Sequence, residues 1–228
     1  MNLFQDWASL FSYSSFYFLN KNDDLNSDDL LTISNSIKNY KEIEKFHDNR
    51  KQEFLLGRLC AAKAYKSHFG KELFSLPMNT NRSPVWPSEV LGSITHNESL
   101  VGAAVADQEK LLGLGIDFEV FGRTKLELSR YIRSPKDIQH HSGFNQQELL
   151  TLIFSAKESL YKALHPSVNL FFGFEVAALQ EINSENGSFK INLISNISPH
   201  FGPSNRYEFD GRFQIYENNC LTVLEILK

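Results

Sequence analysis

Leu111-Leu112-Gly113-Leu114-Gly115-Ile116-Asp117-Phe118-Glu119-Val120 is the stretch on which the reading of the chain turns. It reads as a β-strand, entered from the turn Asp107-Gln108-Glu109-Lys110. On a strand, residues i and i+2 share a face, so Asp117 and Glu119 project from one surface about 6.6 Å apart at Cα. At an effective dielectric of about 20 their repulsion is about 2.5 kcal/mol, nearly two pKa units. Two such carboxylates, flanked by Ile116 and Phe118, are better served by a cation than by each other. Oxygen-only ligands suit Mg²⁺ or Mn²⁺ rather than Zn²⁺. The alternative is two acids on a solvated strand face.

Working outward, two short strands precede this one, Val90–Thr95 and Leu100–Ala106, joined by Asn97-Glu98-Ser99. Before them, Gly70, Pro77, Pro84 and Pro87 mark an ordered loop region. A helix is expected over about 48–68, capped by Asp48, with Phe54, Leu55, Leu59, Cys60, Ala62 and Tyr65 as its apolar stripe. Residues 20–47 are polar and read as loop and surface helix. After the central strand, Leu126–Ile132 reads as a short helix. Asn145 to Leu164 is a long one, with Asn145 and Glu148 in capping-box positions and His165-Pro166 expected to end it. The remainder reads as an antiparallel meander: Phe174–Gln180, Phe189–Ile194, Tyr207–Tyr216 and Leu221–Leu227. The order of helix and strands, repeated, points to an α+β fold of two similar halves, divided as 1–108 and 109–228.

Three further groups of residues carry chemistry. Glu158 and Lys162 are i and i+4 on the long helix and share a face in apolar surroundings. Glu158 could complete a three-carboxylate metal site, with Lys162 beside it to meet phosphate oxygens. The plain alternative is a surface ion pair. Ser93, Thr95 and His96 stand at a strand end, after Arg82-Ser83-Pro84, and could line a phosphate pocket. A lone polar turn histidine is the competing reading. Arg58, beside Gly57, stands out among the charges of the 48–68 helix because its neighbours are apolar.

Composition bounds the rest. The 228 residues include 23 basic and 27 acidic side chains, a net charge of −4. Splitting the chain at residue 108 leaves −2 in each half. A general nucleic-acid binder normally carries a basic footprint, so no nucleic-acid partner is expected. Cys60 and Cys220 make neither a disulfide framework nor a metal knuckle. No window is long and apolar enough for a membrane span, and Met1 to Leu19 has no basic residue to make a signal peptide. The chain reads as cytoplasmic. A third dinucleotide-binding glycine, a Walker loop and a Gly-x-Ser-x-Gly elbow are all missing.

Taken in order, five segments resemble the 4′-phosphopantetheinyl transferases of the two-lobed Sfp/EntD-type branch. They are Arg50-x-x-Glu53-Phe54-x-x-Gly57-Arg58-x-Cys60-Ala61, Arg82-x-Pro84-x-Trp86-Pro87, Gly92-Ser93-Ile94-Thr95-His96, Gly115-Ile116-Asp117-Phe118-Glu119, and Phe154-Ser155-Ala156-Lys157-Glu158-Ser159-Leu160-Tyr161-Lys162-Ala163. The resemblance implies a pseudo-dimer of two α/β lobes in one chain, with coenzyme A in the cleft between them. It implies Mg²⁺ on Asp117, Glu119 and Glu158, with Lys162 neutralising phosphate charge. Arg82, Thr95 and His96 would contact coenzyme A phosphates, and Arg58 the 3′-phosphate. The implied reaction transfers the phosphopantetheine arm to a serine of an acyl or peptidyl carrier protein, releasing adenosine 3′,5′-bisphosphate. The wording at Cys60-Ala61, Trp86-Pro87 and Phe154-Ser155-Ala156-Lys157-Glu158-Ser159 looks closest to the EntD-like group, known from siderophore pathways. The family often has a glutamate base before the long helix. Asp137 is the nearest match here, and Glu158 or a metal-bound water are further candidates. A monomer is expected, since one chain holds both lobes. The readings held against this one are a non-catalytic coenzyme A- or carrier-binding relative and a metal-dependent phosphohydrolase.

Overall fold

The computed structural model describes residues 7–37, 43, 46–73, 75–80 and 82–228. Part of the polar stretch expected as loop and surface helix, at 38–42 and 44–45, lies outside them. The architecture is mixed α/β, with two sheets and four α-helices among the described residues. The chain divides into two compact units. One is Tyr13–Leu111; the other is Leu112–Lys228 together with the N-terminal stretch ending at Ser12.

In the first unit, β1 (Ser14–Asn20), β2 (Val90–His96) and β3 (Leu100–Asp107) form an antiparallel sheet in the order β1-β3-β2. Helix α1 spans Ser27–Ile37 and α2 spans Asp48–Phe69. Leu56, Leu59, Cys60, Ala61 and Ala64 of α2 pack with Val101, Ala103 and Val105 of β3, all buried. Small residues on both surfaces let helix and sheet meet closely. Trp86 lies over Gly92, where a Cβ would stand 2.3 Å from the indole ring. Asp48 opens α2 as its first residue; the cap position belongs to His47, whose side chain makes no capping bond. An acid one residue inside the helix still faces the positive end of its dipole. β1 was not anticipated by the sequence reading.

In the second unit, β4 (Leu111–Val120), β5 (Ala177–Asn183), β6 (Ser188–Leu193), β7 (Glu208–Tyr216) and β8 (Asn219–Leu227) form one sheet in the order β4-β8-β7-β6-β5. A short helix, α3 (Ser129–Ile132), follows a 3-10 turn at Leu126–Leu128. Helix α4 spans Gln146–Val168. Its start matches the expected capping box: the Asn145 side chain accepts from the Gln147 and Glu148 amides, and Glu148 returns a bond to the Asn145 amide. Its end does not match. The helix passes through Pro166 and stops at Asn169, which adopts the left-handed conformation and donates its amide to His165 O. Pro166 removes one amide in the last turn, a loss the helix tolerates there better than mid-length. Leu149, Leu150, Leu152, Ile153, Ala156, Leu160 and Ala163 of α4 all enter the core over the sheet. The N-terminal stretch is fastened to this unit. Trp7 is fully buried with its ring 4.9 Å from Phe118, Arg212 donates to Ser9 O, and the Ser12 amide donates to Glu225.

α4 rests on β4 through bare backbone. A Cβ at Gly115 would stand 1.9 Å from Ser159 O, and one at Gly113 would stand 2.4 Å from Ala163 O. Main-chain atoms cannot yield as a side chain can. Gly115→Ala is therefore expected to push α4 off the strand and destabilise the second unit by about 2–3 kcal/mol or more. Urea unfolding of the variant beside the unaltered chain measures this, and equal midpoints would remove Gly115 from the docking of α4.

Candidate active site

The second unit brings four of the expected residues together. Asp117 and Glu119 lie on β4, with Ile116 and Phe118 of the same strand fully buried. Glu158 and Lys162 lie one turn apart on α4. The close seat of α4 on Gly113 and Gly115 lets Lys162 Nζ reach Asp117 Oδ1 at 2.7 Å and Ile116 O at 3.0 Å. Burial pushes the Glu119 carboxyl up to about 8, with Asp117 and Glu158 adding to the rise and Lys162 opposing it. Glu158 is raised by burial too, with Lys162 opposing and Asp117 adding. These carboxyls are close enough to act on one another's protonation.

A hard divalent cation fits this donor chemistry: three carboxylates, partly desolvated, whose charge repulsion a cation would relieve. Among the described residues, no group of three or more His, Cys, Asp or Glu side chains forms a ready cluster for a metal ion. At Asp117 the Lys162 ammonium supplies the neighbouring positive charge. Beside Glu158 a cavity of about 270 Å³ is walled by Tyr161, Phe171, Phe172, Phe174 and Ala177.

Asp137, expected as a candidate base, is turned inward. One carboxylate oxygen accepts from the Leu179 amide at 2.6 Å. The other accepts from the Ser134 amide at 2.5 Å and from Lys157 Nζ at 2.7 Å. Lys157 also donates to Ile132 O and Phe174 O, so all three ammonium hydrogens have acceptors. Burial pushes the Lys157 ammonium down, against the pull of Asp137. This buried pair ties the end of α3, the turn at Phe174 and the start of β5 to the helix turn that bears Glu158.

The first unit holds the remaining candidates. His96, at the end of β2, meets Arg50 of α2: Arg50 Nη1 lies 3.1 Å from His96 Nε2. His96 Nδ1 lies 3.4 Å from Glu53 Oε1. Glu53 also takes Lys21 at 3.0 Å and Arg50 at 3.4 Å. Burial alone would raise this carboxyl, but Lys21, His96 and Arg50 together hold it below its ordinary range. Arg50 had read as a solvated charge and Lys21 as loop. Only the fold brings them together. Thr95 is buried on β2. Arg82 has a left-handed backbone, φ 69°, in the loop before that strand. Arg58 is buried with its guanidinium 3.8 Å over the Phe54 ring and Nε 3.4 Å from Leu76 O, which places it in the packing of α2 against the loop that follows.

Comparison with known proteins identifies the family. The family model for the 4′-phosphopantetheinyl transferase N-terminal domain matches residues 39–106, and the model for the 4′-phosphopantetheinyl transferase superfamily matches residues 113–215. The chain is 28% identical over 189 residues to the 4′-phosphopantetheinyl transferase Npt of Nocardia iowensis, covering 80% of this chain and 85% of that one. It is 30% identical over 181 residues to the 4′-phosphopantetheinyl transferase Svp of Streptomyces mobaraensis, covering 78% and 72%. Against enterobactin synthase component D of Escherichia coli (strain K12) it is 35% identical over 131 residues, 56% of this chain and 61% of that one. The chain belongs to the 4′-phosphopantetheinyl transferase family, in its Sfp/EntD-type branch, a family of transferase enzymes. Among the described residues no helix is long and apolar enough to cross a membrane.

Glu119 gives a pH test of the acid cluster. Its folded pKa lies above its unfolded one, so between about pH 4.5 and 8 the folded chain holds a proton that the unfolded chain has lost. Stability on this account falls as pH rises through that window. Glu119→Gln, which cannot ionise, should match the unaltered chain near pH 4.5. Above pH 8 it should exceed it by on the order of 5 kcal/mol. Urea midpoints at the two pH values measure the difference, and a gap that does not grow with pH would count against a buried, charge-crowded Glu119.

Proposed function

We propose that this chain moves the 4′-phosphopantetheine arm of coenzyme A onto a serine of an acyl or peptidyl carrier protein, with Mg²⁺, releasing adenosine 3′,5′-bisphosphate. The observation that carries the reading is the cluster of Asp117, Glu119, Glu158 and Lys162, formed by the two motifs the family shares. Asp117, Glu119 and Glu158 would hold the cation, with Lys162 passing from Asp117 to a phosphate oxygen. The cation, when bound, supplies charge stabilisation for the pyrophosphate.

In the reaction, the carrier serine Oγ forms a bond to the β-phosphorus and the bridging bond to the adenosine bisphosphate breaks. Glu158, beside the cavity, takes the serine proton. Asp137 is left out of the proton transfer, because its oxygens serve Lys157 and two backbone amides. Lys162 offsets the charge that grows on the transferring oxygens. The apolar cavity beside Glu158 suits the pantetheine chain, which is mostly hydrocarbon and amide. Arg82, Thr95, His96 and, newly, Arg50 and Lys21 serve the phosphates of the cofactor. Arg58 keeps the 3′-phosphate assignment only through its motif, since its guanidinium is packed on Phe54.

For the partner, the segment from Arg123 to Lys136 offers five basic residues and one acid, Glu127. With the exposed Leu126, Leu128 and Tyr131 it makes a face suited to an acidic helical protein. The reading of the chain as two related lobes, working as a soluble cytoplasmic monomer, goes with this proposal, as does service to siderophore or other secondary-metabolite biosynthesis.

Two measurements bear on it. Asp117→Ala and Glu158→Ala should each lose at least about 100-fold in labelling of a carrier protein by fluorescent coenzyme A with Mg²⁺. Full labelling by both variants would sink the assignment. Hydrolysis of coenzyme A without a carrier would favour the phosphohydrolase instead. Arg50→Ala should raise the KM for coenzyme A about tenfold while leaving the KM for the carrier in place, a split that steady-state kinetics resolves.

A further inference from the structure

Three hydroxyls lie where α4 meets the sheet, all fully buried: Ser155 and Ser159 on the helix and Thr222 on β8. Thr222 Oγ1 donates to Ser155 O at 3.0 Å. Ser159 Oγ lies 2.7 Å from Thr222 Oγ1 and 3.2 Å from Thr222 O. Ser155 Oγ lies 2.9 Å from Thr222 Oγ1 and 3.4 Å from Asp117 O. The hydrogens can be placed without conflict. Thr222 spends its own on Ser155 O and accepts from Ser159, while Ser155 donates to Thr222 Oγ1 or to Asp117 O. Every hydroxyl is satisfied.

Stability alone does not call for this arrangement. Alanine at the two serines and valine at Thr222 would fill nearly the same volume with no polar group to desolvate, an exchange that is often neutral. What the hydroxyls add is direction. An apolar seam tolerates a helix that slides or turns by a fraction of an ångström, whereas a bond below 3 Å does not. Ser155 and Ser159 are one helical turn apart and clasp the same Thr222, which fixes α4 both along its axis and about it. The clasp encloses Glu158, the residue before Ser159, and touches the backbone of Asp117 through Ser155.

We infer that Ser155, Ser159 and Thr222 are positioning residues of the active site: together they set the register of α4 so that Glu158 and Lys162 meet Asp117. The inference deepens the proposed transfer reaction and rests on it for its catalytic meaning, but the register itself can be tested without activity. Thr222→Val and the triple variant Ser155→Ala, Ser159→Ala, Thr222→Val keep the volume and remove the directional bonds. Thr222→Ser keeps the hydroxyl. The coupling between Lys162 and Asp117, from a double-mutant cycle of Lys162→Met and Asp117→Asn in urea, should fall to less than about half in the triple background and persist with Thr222→Ser. Mn²⁺ affinity, read by electron paramagnetic resonance, and kcat should each fall at least about tenfold in the triple variant, with the KM for coenzyme A changing less.

Unchanged coupling, together with kcat and Mn²⁺ affinity within about twofold of the starting protein, would overturn the inference. If the triple variant fails to melt cooperatively, Thr222→Val against Thr222→Ser carries the same comparison, and equal kcat in those two overturns it. A lost coupling in a protein that never labels any carrier would uphold the register and sink the proposed reaction.

Discussion

The backbone of α4 sits on the backbone of β4, and most of the site follows from that contact. With Gly113 and Gly115 beneath Ala163 O and Ser159 O, the helix stands closer to the strand than any side chain at those positions would permit. Lys162 can then reach over the strand edge to Asp117 and to Ile116 O. An extra ångström of separation would leave that ammonium to water. The acids of β4 would lose the nearest charge that offsets their repulsion, and Glu119 would be displaced further still. The two glycines are thus an electrostatic device as much as a packing one.

The same economy of reach explains the inward pair of Lys157 and Asp137. Neighbours on α4, Lys157 and Glu158 have different tasks: both line the cavity, but 100° of helical rotation lets the Lys157 ammonium turn inward onto Asp137. Lys157 collects carbonyls from two separate segments, at Ile132 and Phe174, and one carboxylate. A buried ion pair adds little net stability by itself. Its effect here is geometric: the wall of the cavity that includes Phe174 is fastened to the helix that carries Glu158.

Much of the second unit was legible in the amino-acid order. β4 has the expected bounds, and α4 begins at the expected capping box, because both rest on local patterns: strand-forming residues between turns, and an Asn with a Glu three residues later. The extension of α4 through Pro166 was not legible, because a proline signal says nothing about how many turns remain before it matters. β1 was missed because Ser14–Asn20 lies in an aromatic-rich stretch without clear turn marks, and its partner is β3, more than 80 residues away. The site divides in the same way. Asp117, Glu119, Glu158 and Lys162 could be found from spacing, since each pair is local. Asp137 is found by position, but its buried partner, Lys157, lies 20 residues on and carries no local signal. Arg50 and Lys21 read as ordinary surface charges until Glu53 and His96 were placed beside them. Ser155 and Ser159 stand in the sequence only as members of the Lys-Glu motif; the threonine opposite gives them a structural partner.

The distribution of the two tryptophans has an optical consequence. Trp7 is sealed against Phe118 in the unit that holds the acid cluster, while Trp86 lies over Gly92 in the other. Each unit therefore carries a single tryptophan of its own. Replacing Trp86 with phenylalanine would leave emission from one indole, a short distance from β4, blue-shifted while that unit is intact and red-shifted once water enters. The reciprocal replacement would listen to the three-stranded sheet alone. The chain comes already labelled for asking whether its two units melt in one step or in turn.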